Sequence, residues 1–194
     1  MKNVIQSILL LLFCVSCNSE AKKILNELPN EIENIQENNE LSEGQKVATK
    51  LSETTPLSED ALRKAFPKQL KALQVDEKIM VIGQQIMGNF GDKKISLSIV
   101  DAAGDNNQLA QQIIDSYAFD KLQETENFKV IKQVRNGIET ITDYYKTTVK
   151  SEIRFLYNNR FYVTLSNNEN RIKLNPDELW DAFDIRVLEP LKEY

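Results

Sequence analysis

The chain has 194 residues, of which 41% are hydrophobic and 27% charged, with a formal net charge of −5. That is enough for one domain of ordinary size plus a further segment, and nothing in the acidic balance suggests a basic face for nucleic acid. No histidine occurs, which excludes Ser-His-Asp and Cys-His nucleophilic sites and every zinc site built on imidazole.

Met1 and Lys2 give a short positive start, followed by an unbroken apolar run from Ile8 to Val15, then Ser16 and Cys17. The run is too short for a membrane-spanning helix, which needs roughly 20 apolar residues. The order positive, apolar, small, polar is that of a secretory signal peptide. Cys14 and Cys17 stand three apart in "CVSC". A Cys-x-x-Cys redox pair needs a strand–turn–helix setting, and this pair closes an apolar run instead. The stretch resembles the lipobox of bacterial lipoproteins over residues 1–20, with Cys14 where that family prefers leucine. The resemblance implies a signal peptide over 1–16, cleavage after Ser16, a diacylglycerol on the Cys17 sulfur and acylation of the new amino group. Asn18 replaces the Asp that retains such proteins at the inner membrane, so the resemblance implies the outer membrane, on its periplasmic face. Each buried methylene contributes about 0.8 kcal/mol, so several acyl chains hold where one binds reversibly. The alternative is an ordinary signal peptide with an incidental Cys17.

Residues 17–56 read as a polar tether rich in Glu, Asn, Lys and Ser, with no aromatic side chain. Such a composition buries too little apolar area to offset the entropy of ordering. Ile24, Leu25, Leu28, Ile32 and Ile35 recur near helical spacing, with Pro29 interrupting. The expectation is a flexible, partly helical stalk, spanning roughly 30–40 Å as a coil.

Residues 57–194 read as a single α+β domain. Ser58 is a helix N-cap with Glu59 and Asp60 in the first turn, and Pro67 ends that helix at Phe66. Met80, Ile82, Ile86 and Phe90 share one parity, which predicts a strand over 78–90 with one buried face, in which Gly83 and Gly88 mark a bulge. The turn in "NFGDKK" leads to a second strand over 93–101. "DAAGDNN" opens a helix, capped by Asp105 or Asn106, that carries Leu109, Ile113, Ile114 and Tyr117 on one face. Two further hairpins turn at Asn136-Gly137 and Asn158-Asn159. In the last helix Asn175 is the N-cap, Pro176 the first residue and Glu178 the third. Leu179, Trp180, Phe183, Val187 and Leu188 then face the sheet. The sum is a mainly antiparallel sheet of about six strands built from hairpins, packed by about three helices behind the tether. This element order resembles exported domains with a central antiparallel sheet and flanking helices, the PsbP-like and Mog1-like proteins. "LSEDAL", "GDKKISLSIVD" and the Pro176 helix are also similar to parts of an uncharacterised exported α+β family. Neither resemblance implies a residue-level function.

Asp101, Asp105 and Asn107 could offer oxygens to a hard cation, but without EF-hand spacing they read as a strand end and a capped helix. Asp143, Tyr144, Tyr145, Tyr157, Arg160 and Tyr162 put polar-tipped groups on adjacent strands, as a sugar- or peptide-binding face or as ordinary cross-strand pairs. Asp143 and Glu152 are one of many conceivable carboxylate pairs. No metal site, cofactor or catalytic set is expected, and an enzyme using carboxylates alone ranks last. The leading expectation is an envelope lipoprotein, tied to the membrane by lipid on Cys17 and acting as a binding or structural module through a protein partner. Asp101, Asp105, Tyr145, Tyr157 and Trp180 are its candidate contacts. The alternative is a carrier of an apolar ligand in a cavity between the sheet and the C-terminal helix, beside Trp180 and Phe183.

Overall fold

The computed structural model describes residues 40–118 and 122–194. The expected signal peptide, Cys17 and the tether up to residue 39 lie outside the described residues. In chain order the elements are α1 (Glu43–Ser52), α2 (Glu59–Ala65), β1 (Gln69–Leu70), β2 (Leu73–Ile82), β3 (Gln85–Phe90), β4 (Ile95–Asp101), a 3₁₀ turn (Gly104–Asn106), α3 (Asn107–Ala118), β5 (Phe128–Arg135), β6 (Ile138–Tyr145), β7 (Lys150–Tyr157), β8 (Phe161–Asn167), α4 (Pro176–Phe183) and a 3₁₀ segment (Ile185–Glu193).

The strands form one antiparallel sheet of eight, ordered β1-β2-β3-β4-β8-β7-β6-β5. Two meanders, β1–β4 and β5–β8, meet where β4 lies against β8. The α+β class and the hairpin-built antiparallel sheet match the expectation, whereas eight strands replace about six. One reason is Gly83. With φ +57 it starts a two-residue turn that pairs Ile82 with Gln85, so the segment read as one strand over 78–90 is two. The turn also reverses the side-chain parity. Ile86 and Phe90 are buried, but Met80 and Ile82 are 40% and 64% exposed. The ladder does slip beside Gly88, between the pairs Val75–Phe90 and Ile79–Gly88, with the extra residues on β2, and a Cβ on Gly88 would lie 2.9 Å from the Phe66 ring that packs over it.

The core face of the sheet carries Leu97, Ile153, Phe155, Val163 and their neighbours, all with almost no exposure. α2, α4 and the C-terminal 3₁₀ segment cover it. Each large apolar side chain removed from water here stabilises the fold by about 1.5–3 kcal/mol. Asn175 caps α4 by accepting from the Asp177 and Glu178 amides, both at 3.0 Å, and Glu178 accepts from the Asn175 amide at 2.9 Å. α4 ends at Phe183, earlier than its apolar pattern suggests. Asp184 takes φ +57 there and accepts from the Arg186 amide and guanidinium, so Val187 and Leu188 reach the core from 3₁₀ geometry.

The folded unit begins at Leu41, not at Leu57, because α1 belongs to it. Ser42 and Gln45 exchange capping bonds of 3.1 and 2.8 Å. Ala48 and Leu51 are buried with Ala102 and Ala110, and Ser42 Oγ donates to Asp115 Oδ1 on α3 at 3.1 Å. Gly44 lets the two helices approach closely, since a Cβ on it would lie 2.5 Å from Asp115 Oδ1 and 3.0 Å from the Gln111 carbonyl. Gly44→Val should therefore undock α1 and cost about 1–3 kcal/mol by overpacking. Amide hydrogen exchange should quicken across Glu43–Ser52 and leave β4, β7 and β8 protected.

Candidate functional site

Asp101 ends β4 with its side chain wholly buried. Arg160, in the β7–β8 turn, grips it with two parallel bonds of 2.8 Å, Nε to Oδ1 and Nη2 to Oδ2. The Leu57 amide donates to Oδ2 at 2.7 Å and the Ala103 amide to Oδ1 at 3.2 Å. Arg160 also donates to the main-chain oxygens of Tyr194 at 2.8 Å and Thr55 at 3.1 Å. The carboxylate expected to face a ligand is thus enclosed by four protein donors. Asp105 is exposed at the 3₁₀ turn and caps α3 by no side-chain bond. Asn107 turns its amide to the Gly104 carbonyl at 2.6 Å. Among the described residues no three Cys, Asp or Glu side chains converge to hold a metal.

The other expected contacts fall on opposite faces. Trp180 is buried on the core face, its indole N–H donating to Asn136 Oδ1 at 2.8 Å and its ring 5.4 Å from Phe155 and 5.8 Å from Phe183. Buried Arg135 lies 5.9 Å from that ring and pairs with Asp177 of α4 at 2.7 Å. The space between α4 and the sheet, where the carrier reading places its ligand, is filled by these side chains. Tyr157 is also buried in this core. Burial, and next the Glu189 carboxylate, push its phenol above the ordinary 10.0. Tyr145 lies on the outer face, 43% exposed, with its ring 5.2 Å from Phe128 and Lys150 Nζ 5.9 Å above it.

The outer face is only partly covered. α1 and α3 sit over one end, on Leu156 and Ala102. Beyond them the register runs Met87, Ser98, Thr164, Arg154, Ile141 and Lys132 across six strands from β3 to β5. Between α3 and β5–β8 this face opens a cleft of about 440 Å³. Ile113 of α3 and Phe128, Val130 and Ile141 of the sheet give it apolar walls, and Lys132, Asp143, Arg154 and Tyr162 bring polar groups. Arg154 Nη2 donates to Asp143 Oδ2 at 2.7 Å, and its buried Nε has no acceptor among the described residues. Lys132 Nζ donates to the Tyr117 carbonyl at 3.2 Å. Asp143 and Glu152 do stand opposite each other, but Asp143 is already ion-paired.

No family model matches this chain, and no curated protein or solved structure matches it significantly. Its functional reading rests on its own residues.

Arg154 and Lys132 were not singled out from the sequence. For Arg154 the available signal was the alternation within "EIRFLY", which puts Glu152 and Arg154 on the face opposite Ile153 and Phe155; "KVIKQV" does not alternate and gave no such signal for Lys132.

The raised Tyr157 phenol has a pH consequence. Its ionisation is easier in the unfolded chain, so stability is intact below about pH 10 and falls as pH rises through the folded value. In a phenolate absorbance titration, Tyr157→Phe should remove the component that titrates last and reduce the alkaline loss of stability.

Proposed function

We propose that this protein is an envelope lipoprotein and a non-catalytic binding module. Lipid on Cys17 holds it at the periplasmic face of the outer membrane, and the domain acts through a protein partner. The observation that carries the partner reading is the free edge of β2. β1 pairs only with Leu73 and Gln74 and the Val75 amide donates to the Lys68 carbonyl at 2.9 Å, so from Asp76 to Ile82 that edge has no strand beside it among the described residues. Asp76, Glu77 and Lys78 charge its first half, and Ile79, Met80, Val81 and Ile82 make its second half apolar. An edge of this kind takes an extended segment by main-chain pairing, and exposed side chains such as Met80 and Ile82 set the preference.

The test combines anchor and edge. Cys17→Ser should move the protein from the membrane to the soluble fraction, and an unchanged membrane fraction would contradict the anchor. In a pull-down from envelope extracts, the protein carrying both Met80→Lys and Ile82→Lys should lose its bound partner while keeping its circular dichroism. Retention of every bound protein by that variant would contradict the edge.

A further inference from the structure

The outer-face cleft is separate from the β2 edge and carries an imbalance of its own. Three charged side chains line it: Lys132, Arg154 and Asp143. Asp143 neutralises one cation, which leaves one positive charge in excess inside a protein whose net charge is −5. The donors are also in excess. Of the five N–H groups of Arg154 only one on Nη2 has a protein acceptor, and Lys132 meets a single carbonyl and no carboxylate among the described residues. Arg154 and Lys132 flank Ile141 on adjacent strands in register, so the cations stand on either side of an apolar floor. Half-enclosed apolar walls strengthen an electrostatic contact relative to open water. The volume lies within the range of small-ligand sites.

We propose that this cleft binds an amphiphilic anion, with an oxyanion head received by Arg154 and Lys132 and an apolar body laid on Ile113, Phe128, Val130 and Ile141. A neutral sugar would leave the excess charge unpaired, and a cationic amphiphile would meet it with the wrong sign. A carboxylate and a phosphate offer the same acceptor oxygens, and Arg154 can meet either through two N–H groups.

The experiment uses the full chain carrying Cys17→Ser, titrated calorimetrically and by amide chemical shifts with octanoate, octyl phosphate, octan-1-ol and octyltrimethylammonium. Saturable binding of octanoate or octyl phosphate is expected, and the tighter of the two identifies the head group. Shift changes should gather on α3 and β5–β7 and spare β2. The alcohol and the cation should bind roughly tenfold or more weakly, as the loss of one charged hydrogen bond implies. Lys132→Gln should weaken the anion by a similar factor and Lys132→Arg should restore it. Because Lys132 is half-exposed, these variants keep the test valid even where Arg154→Gln fails to fold. Equal affinity for octanoate and octanol, no saturation by either anion, or full affinity in Lys132→Gln would overturn the proposal. None of these results bears on the β2 edge, so the two readings fail separately.

Discussion

Among the described residues Asp101 is the acidic side chain that the fold takes wholly out of water, and its pairing with Arg160 is the constraint on which the rest depends. A carboxylate without solvent must find full compensation inside the protein. Here that compensation comes from distant parts of the chain: the Leu57 amide ahead of α2, the Ala103 amide after β4, and the guanidinium in the β7–β8 turn. Arg160 then reaches the oxygens of Thr55 and Tyr194, and its own carbonyl accepts from Ala102 at 3.0 Å. One buried pair thereby fixes where the chain enters the sheet domain and where its last segment lies. It also ties the shared end of the two meanders, since Asp101 stands opposite Phe161 in the β4–β8 ladder.

That placement determines what each face of the sheet can do. The core face is covered by α2, α4 and the C-terminal 3₁₀ segment, and the aromatic cluster of Phe155, Trp180 and Phe183 packs between α4 and the sheet. The outer face is covered only near the clamp, where α1 and α3 rest on Ala102 and Leu156. Farther along the strands the same face turns polar, with Ser98, Thr164 and Arg154 side by side. The outer cleft and the unpaired edge of β2 are two places where the described residues leave charged groups and main chain open to a ligand or partner.

Much of this was legible in the sequence. The hairpins at Asn136-Gly137 and Asn158-Asn159 follow from local turn chemistry, and all four residues take positive φ. The helix starts at Ser58 and Asn175 follow from their caps. Elements failed where one residue carried the signal. Gly83 read as a bulge because its flanks continue an alternating pattern, and the parity of Met80 and Ile82 reversed with the turn. α1 was lost in a polar stretch although "SEGQ" is a capping box followed by Val47, Ala48 and Leu51 at helical spacing. The site was less legible than the fold. Asp101 looked like a loop ligand because its partner stands far away at Arg160, and the cleft cations became neighbours only through the register of β5, β6 and β7.

The central claim is that Asp101 and Arg160 act as one unit rather than as two polar residues that happen to touch. A double-mutant cycle with Asp101→Leu and Arg160→Met, read by urea unfolding, tests it directly. Each single change leaves a buried charge or its donors uncompensated and should cost about 3–5 kcal/mol. The double variant should cost less than the sum, with a coupling of about 1–3 kcal/mol. Single costs that add to within about 0.5 kcal/mol would contradict the account.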